Sequence, residues 1–237
     1  VIALGVSAAG WLGALLIPGA ALVGGVGSTA LVYWIARRAP QGPSGASILL
    51  AGVMVNAIAA ALITFGKLVV PPSRAQRMLR WLVGFIELPS ALALMVTAIC
   101  VLAGAILLWR DGARLNALAL GDESAATLGV DVGRLERRVF VIASCVVGAI
   151  VSLTGLIGFV GLVVPHAVRR LFGPDHRRLL PIAFLFGATG LVLCDLGTRL
   201  ALRAFDSQVP VGAVTALIGG PAFLWMLAQG RRAQKSW

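Results

Sequence analysis

The side chains that could bind a metal or activate a nucleophile are few and stand far apart. Cys100, Cys145 and Cys194 each lie inside an apolar run, and no pair has metal-ligand or CxxC spacing. We interpret them as small buried hydrophobic residues. A metal-binding role for His166 would need partners, and His176 offers no clear geometry; His166 is interpreted as a hydrogen-bonded structural residue. The sequence therefore predicts neither a catalytic centre nor a metal site.

Asp195 is the one acidic residue in the middle of an apolar run, and Arg199 follows it at i+4. Side chains at this spacing share a helix face, and a charge inside a membrane span is costly unless it is paired or close to the interface. We therefore interpret Asp195 and Arg199 as a structural ion pair near the outer end of a span. A binding role for Arg199 stays open.

A polar, glycine-punctuated segment, "LNALALGDESAATLGVDV", interrupts the apolar sequence at residues 115–132. Residues 115–120 favour a short helix that ends at Gly121, and Asp122 is placed to N-cap a second short helix. Gly129 marks the end of this second helix. Two rigid, capped helices would offer a docking surface, and an ordinary structured loop is the alternative.

These residues belong to a chain that is 59% hydrophobic and 12% charged, whereas a soluble domain carries about a quarter charged residues. Apolar runs of about 18 residues or more are typical of membrane helices, because a helix satisfies its own peptide groups in lipid. The runs do not alternate as strands would. The predicted fold class is therefore all-α, a polytopic membrane helical bundle. The charge-free runs cover residues 1–36, 39–66, 88–109, 139–168 and 207–230.

About eight spans are predicted from these runs. The run at residues 139–168 would measure about 45 Å as one helix, against a hydrocarbon core of about 30 Å. Gly155 offers a break within it, so we divide this run into two spans. The predicted spans are residues 2–17, 19–36, 47–66, 90–109, 137–154, 157–171, 179–203 and 209–230.

The distribution of Lys and Arg decides between one span and two at residues 139–168. With two spans, 14 of the 20 Lys and Arg residues fall on one side, against 9 with a single span. The positive-inside bias favours two spans and assigns the richer side to the cytoplasm. Residues 115–132 and the C-terminus are thus predicted to be cytoplasmic. The formal net charge of +11 reflects this bias rather than a nucleic-acid partner.

Three long stretches follow one another along the chain: the polar segment quoted above, "GLIGFVGLVVPHAVRRLFGPDHRRLLP" and "PVGAVTALIGGPAFLWML". Together with "LLAGVMVNAIAAALITF" and "RWLVGF", they resemble the membrane subunit of metal-chelate ABC importers, the FecCD-type permeases for iron-siderophore, haem and cobalamin uptake. The resemblance covers nearly the whole chain and implies one transmembrane permease domain over residues 1–237, of the ten-helix type II importer fold. "LGVSAAGWLGALLI" looks like the third helix of that fold, so we expect the first two to be missing.

The resemblance implies that residues 112–132 form cytoplasmic coupling helices, which fit a cleft on an ATP-binding cassette ATPase and carry ATP-driven movement to the gate. The sequence shows no nucleotide motif of its own, since Gly66-Lys67 is followed by Leu68 and no glycine-rich loop precedes it. ATP hydrolysis is therefore expected on the partner chain. The expected coupling residues are Leu120, Gly121, Asp122, Ser124, Ala125, Leu128 and Gly129.

On the outer side, residues 73–87 are predicted to hold a short helix, which Ser73 N-caps and which runs to about Phe85. An amphipathic helix at the membrane interface is the simpler interpretation. The resemblance implies instead a helix at the mouth of the translocation pathway. Arg80 and Trp81 are then candidate pathway residues, where arginines could attract an anionic chelate.

The resemblance also implies roles for residues on two predicted spans. Met54 and Asn56 lie on a span that the family places along the pathway, and an interhelical hydrogen bond is the alternative for Asn56. Arg199 looks like the position that docks a periplasmic or lipoprotein substrate-binding protein, and Arg203 lies one turn further out.

The sequence thus indicates a multi-pass transporter subunit of a bacterial cell (inner) membrane rather than an enzyme. The expected partners are the ATPase, the binding protein, membrane lipid and a second copy of the chain, and the metal chelate passes between the two copies. No cofactor is expected. An ion-coupled secondary transporter is the alternative and requires unpaired acids at mid-membrane. A membrane-embedded enzyme would need clustered His, Asp or Glu.

Overall fold

The computed structural model describes residues 19–20, 23–38, 45–86, 90–205 and 209–234, and every regular element in these ranges is a helix. The predicted span at residues 2–17 lies outside them. The helices are α1 (residues 23–37), α2 (Gly45–Val69), α3 (Pro72–Val83), α4 (Ala91–Arg110), α5 (Gly112–Leu118), α6 (Asp122–Thr127), α7 (Val132–Thr154), α8 (Val160–Phe172), α9 (His176–Phe205) and α10 (Val211–Gln234).

Four of these helices, α2, α4, α7 and α9, are long and apolar enough to cross a membrane, and α10 contains a shorter apolar stretch over Val211–Met226. Their apolar side chains point largely outward: Leu62 and Phe65 of α2 are 67% and 68% exposed. Apolar surface of this extent is unfavourable in water, so these helices need lipid or further helices around them. The prediction of a polytopic helical membrane protein is confirmed.

Contacts divide the chain into two compact units. The first comprises Val1–Arg80, Pro89–Val101 and Val139–Leu153. Within it α1 lies against α7, where a Cβ added to Gly25 would stand 3.6 Å from the Gly148 Cα. Small residues at such a contact let two membrane helices approach closely.

The second unit carries the candidate site and comprises Trp81–Leu88, Leu102–Arg138 and Thr154–Trp237. In this unit α8, α9 and α10 pack against one another, and α5 lies against both α6 and α9. The short helix α5 therefore packs against a long apolar helix, and α6 packs against α5.

The long apolar run at residues 139–168 is broken near Gly155, as predicted. α7 ends at Thr154 and α8 begins at Val160, while Gly155 (φ 69°) and Phe159 (φ 66°) adopt the left-handed region. With 13 residues, α8 is about 20 Å long. It is therefore shorter than the span predicted there, and as a regular helix it does not cross a hydrocarbon core of about 30 Å by itself.

α3 begins and ends earlier than predicted. Pro72 occupies the first helical position, where its missing N–H leaves no hydrogen bond unmade. The expectation that Ser73 N-caps this helix is therefore wrong. The helix ends at Val83 because Gly84 adopts φ 76°. Of the predicted range 73–87, residue 87 lies outside the part of the chain that the structure describes.

Gly84, Gly155 and Gly212 meet where the end of α3, the break before α8 and the start of α10 converge; we call these three residues the glycine junction. A Cβ on Gly84 would overlap the Leu156 carbonyl oxygen, and a Cβ on Gly155 would overlap that of Trp81. The Leu156 N–H donates to the Trp81 carbonyl (3.3 Å), and the Gly212 N–H donates to that of Gly84 (3.3 Å). Backbone therefore packs directly on backbone, which only glycine permits.

Candidate functional site

The coupling segment, defined as residues 112–132, forms two short helices as predicted. α5 begins at Gly112 and ends at Leu118, earlier than expected. Gly121, with φ 106°, precedes α6 at the N-cap position, so the expectation that Asp122 caps α6 is wrong. Asp122 instead lies in the first turn of α6, where its negative charge interacts favourably with the helix dipole.

The C-terminal end of α6 is closed by Gly129, as predicted. Gly129 adopts φ 79°, and its N–H donates to the Ala126 carbonyl (3.0 Å). The Val130 N–H donates to the Ala125 carbonyl (3.0 Å). This pair of bonds is the Schellman arrangement, which satisfies carbonyls that the helix end would leave unpaired. The coupling segment therefore has a defined backbone at this end.

The coupling segment exposes both apolar and acidic side chains. Leu120 and Leu128 are 69% and 65% exposed, which is unfavourable unless a partner covers them. Ala125 is fully buried and fixes α6 to the rest of the protein. The structure places the other predicted coupling residues on the surface: Leu120, Gly121, Asp122, Ser124, Leu128 and Gly129.

Asn116 attaches the coupling segment to the start of α9. Its Nδ2 donates to Asp175 Oδ1 (2.7 Å), and its Oδ1 accepts the backbone N–H of His176 (2.8 Å). Trp109, at the end of α4, donates its Nε1–H to the Arg177 carbonyl (3.1 Å). We call these five residues the α5–α9 latch.

The charge in the α5–α9 latch is carried by Asp175. The side-chain hydrogen bond from Asn116, and after it the backbone N–H of Arg177, holds the pKa of the Asp175 carboxyl below its usual value. The carboxylate therefore stays ionised at neutral pH and accepts both bonds. The ionised carboxylate stabilises the latch only at pH values above its lowered pKa. The two hydrogen bonds are therefore expected to weaken as the pH falls through that pKa.

Asp111, directly before α5, attaches the coupling segment to α7. Its side chain is 3% exposed and lies 3.0 Å from Arg114 Nη1 and 3.2 Å from Arg138 Nε. A buried carboxylate is costly unless it is paired, so both arginines are needed in place. Since Arg138 belongs to α7, this triad joins the coupling segment to a helix long enough to cross the membrane.

The predicted ion pair on α9 is present. Arg199 Nε lies 2.7 Å from Asp195 Oδ2, and the Arg199 side chain is 62% exposed. Part of the guanidinium therefore faces outward although the group is paired. Arg203 lies in the same helix, but its side chain is outside what the structure describes. The docking role of Arg199 and Arg203 stays a prediction.

The predicted pathway residues lie on exposed faces of the single chain. Met54 and Asn56 are exposed on α2, and Arg80 and Trp81 are exposed near the end of α3. If the pathway lies between two copies of the chain, its lining residues are exposed when a single copy is viewed alone. Their role as lining residues stays a prediction.

No three His, Cys, Asp or Glu side chains among the described residues stand close enough together to hold a metal ion. Cys100, Cys145 and Cys194 are half-buried thiols. His166 contacts Phe223 edge to face, with ring centroids 6.4 Å apart. The described part of the chain therefore shows no cluster suited to metal binding.

Long apolar helices with outward-facing leucines, joined to a capped polar segment that presents its own exposed leucines, define a membrane-embedded helical protein. Comparison with known proteins makes this class more specific. The FecCD transport family matches the chain over residues 1–229. The chain belongs to the FecCD transport family, whose members are transport proteins rather than enzymes.

Curated relatives of the chain are named as permeases of import or transport systems. It is 41% identical over 215 residues to the cobalamin import system permease protein BtuC of Halobacterium salinarum, covering 88% of this chain and 55% of that protein. It is 34% identical over 216 residues to the hemin transport system permease protein HmuU of Yersinia pestis, covering 91% and 63%. The chain thus spans 55–63% of the length of these two relatives.

A solved structure shares the fold. It is described as an inward-facing conformation of a metal-chelate type ABC transporter, with a TM-score of 0.75 and 28% sequence identity. The superposition covers 86% of this chain and 64% of that one. The family resemblance inferred from the sequence motifs is confirmed.

Proposed function

We propose that this chain is a membrane permease subunit of an ABC importer, which moves an iron-siderophore, haem or cobalamin-type metal chelate into the bacterial cytoplasm. ATP hydrolysis takes place on a separate ATPase subunit, and the chelate passes between two copies of the permease. The observation that carries this proposal is the exposure of Leu120 and Leu128 in the coupling segment. Hydrogen bonds fix the backbone of this segment at both ends. Membership of the FecCD transport family supports it.

Movement of the ATPase would displace α6 first, and two sets of contacts would transmit this displacement to the transmembrane helices. The first is the α5–α9 latch, in which Asn116 joins α5 to the start of α9. The second is Asp111, which holds Arg138 of α7. Both α7 and α9 are long enough to cross the membrane, so a displacement of the small cytoplasmic helices reaches the transmembrane helices directly. Transport is then a shift between conformations rather than a chemical step on this chain.

At the outer side, the exposed guanidinium of Arg199 would receive an acidic group of a substrate-binding protein, and Arg203, one helical turn further along α9, would take part in the same docking. The exposed residues Met54 and Asn56 of α2 and Arg80 and Trp81 of α3 would face the chelate. A secondary transporter driven by an ion gradient would need an unpaired acid at mid-membrane, whereas Asp195 is paired with Arg199.

Reconstitution of the full-length protein in liposomes tests the proposal. We expect a tagged permease to co-purify with an ATPase and a binding protein, and we expect uptake of a labelled metal chelate to require ATP. Labelled siderophore, haem and cobalamin offered in turn would identify the cargo. Uptake that follows an ion gradient without any ATPase would contradict the proposal.

Leu128→Glu is expected to weaken binding of the ATPase by about tenfold or more, because it replaces an exposed apolar contact with a charge. The affinity of the detergent-solubilised permease for the purified ATPase measures this effect. Thr127→Glu is the control, since it adds the same charge one residue away and removes no large apolar side chain. Equal losses in the two variants would mean that charge, and not the Leu128 contact, decides docking.

Arg199→Gln is expected to weaken docking of the binding protein several-fold, and to do so less at high salt because exposed charges are screened. Asp195→Asn is the matched variant. It breaks the same ion pair but leaves the arginine free, so docking should be kept or strengthened. If both variants instead lower thermal stability alike and leave docking unchanged, Arg199 serves only the structural pair.

A further inference from the structure

A cavity of about 370 Å³ lies between the start of α5, the loop that follows α6 and the first turns of α7. Arg114, Arg134 and Arg138 line it, together with Asp131 and Leu135. The cavity therefore has more positive than negative groups in its wall. It also opens beside the N-terminal turn of α7, whose dipole adds positive potential.

Each of the three arginines has an acidic partner. Asp111, which is 3% exposed, lies against Arg114 at 3.0 Å and against Arg138 at 3.2 Å. Asp131 Oδ2 lies 2.8 Å from Arg134 Nε. A guanidinium has five N–H donors, so each arginine keeps several donors after its ion pair is formed. The arginine side chains are 46–83% exposed, which shows that they also reach out of the protein.

Guanidinium groups that line one cavity are suited to a tetrahedral oxyanion, because together they can donate several charge-assisted hydrogen bonds. Of the lining residues, Arg114 follows the end of α4 by four positions, and Asp131 directly precedes α7. Both helices are long enough to cross a membrane, so a cavity at their ends is suited to reach lipid phosphates.

We propose that this cavity binds a phosphate group, with Arg114, Arg134 and Arg138 as its donors. The phosphate belongs either to an anionic lipid or to a soluble phosphate compound. Because Gly129 and Val130 of the coupling segment also line the cavity, its occupant would contact the coupling segment. The site does not depend on which cargo the protein moves or on whether an ATPase drives it.

Arg134→Gln is the test variant, because Arg134 is 83% exposed and its partner Asp131 is 54% exposed, so the fold does not depend on the pair. Arg137→Gln is the matched control: it makes the same charge change on the same helix at a residue that does not line the cavity. The full chain is placed in phosphatidylcholine nanodiscs, with or without phosphatidylglycerol.

Native mass spectrometry counts the phosphatidylglycerol molecules that the protein retains, and calorimetric titration in the phosphatidylcholine nanodiscs tests inorganic phosphate. The affinity is compared for whichever of the two probes the unmodified protein binds. We expect Arg134→Gln to lower this affinity by about fivefold or more and Arg137→Gln to leave it unchanged. Retention of the lipid alone identifies a headgroup site, and binding of inorganic phosphate identifies a soluble source; either supports the proposal. Binding of neither probe, or equal losses in the two variants, overturns it.

Discussion

Gly155→Ala is expected to destabilise the protein strongly and to reduce the amount of folded protein in the membrane. The new Cβ would overlap the Trp81 carbonyl oxygen and lie 3.3 Å from the Gly84 Cα, and both contacts are with backbone that cannot turn aside. The residue also adopts φ 69°, which costs a non-glycine residue about 1–2 kcal/mol. Overpacking adds about 1–3 kcal/mol. The sum is a large share of the roughly 5–15 kcal/mol that stabilises a typical fold.

Gly158→Ala is the control for this prediction. Gly158 lies in the same break between α7 and α8, yet a Cβ there would meet nothing within 4 Å, and its φ is not positive. Size-exclusion chromatography of the solubilised full chain, followed by thermal unfolding, measures both variants. Similar behaviour of Gly155→Ala and Gly158→Ala would show that the close approach in the glycine junction is absent.

Gly212→Ala tests the same close approach of backbones, but at a position where helix propensity alone would predict a gain in stability. Gly212 lies inside α10, where alanine is a better helix former than glycine by about 1 kcal/mol. Here, however, a Cβ would overlap the Val83 carbonyl oxygen and lie 2.8 Å from that of Leu156. Gly212→Ala is therefore expected to destabilise the protein, whereas Gly161→Ala in α8, with nothing within 4 Å, is expected to be neutral or stabilising.

The helices were predictable because each depends on local sequence. Apolar runs without charge place α2, α4, α7 and α9, and the glycine at 155 marks the break in the longest run. The ion pair of Asp195 and Arg199 was predictable for the same reason, since its members are one helical turn apart. The apolar pattern did not decide which residue occupies the N-cap position of a helix. Asp122 and Gly121 both suit an N-cap, and the folded backbone assigns the position to Gly121, whose carbonyl accepts the Ala125 N–H (2.9 Å).

The attachments of the coupling segment could not be predicted from spacing, because their partners are distant in sequence. Asn116 meets Asp175 across 59 positions, and neither residue stands out in a segment that already contains several polar side chains. The glycine junction likewise combines Gly84, Gly155 and Gly212, which come from three separate stretches. Each glycine alone is a common helix terminator or packing residue, and only the folded backbone shows that the three are needed together.

Asn116→Leu is expected to separate ATP hydrolysis from transport. Leucine keeps the size of the side chain but removes the hydrogen bonds to Asp175 and to the His176 backbone, each worth about 1 kcal/mol. The exposed Leu120 and Leu128 are untouched, so the ATPase should still bind and hydrolyse ATP. Uptake per ATP should fall by about tenfold or more, because movement of α5 no longer reaches α9.

Thr127→Val is the control for the latch, because Thr127 also lies in the coupling segment but its hydroxyl bonds only to the Ser124 carbonyl in the same helix. The decisive measurement is the ratio of uptake to hydrolysis in proteoliposomes. If Asn116 served only to stabilise the fold, thermal stability would drop and both activities would fall together with the ratio preserved. A normal ratio in Asn116→Leu would exclude the latch as a route for force, while failure of any ATPase to bind the unmodified chain would count against the proposed function instead.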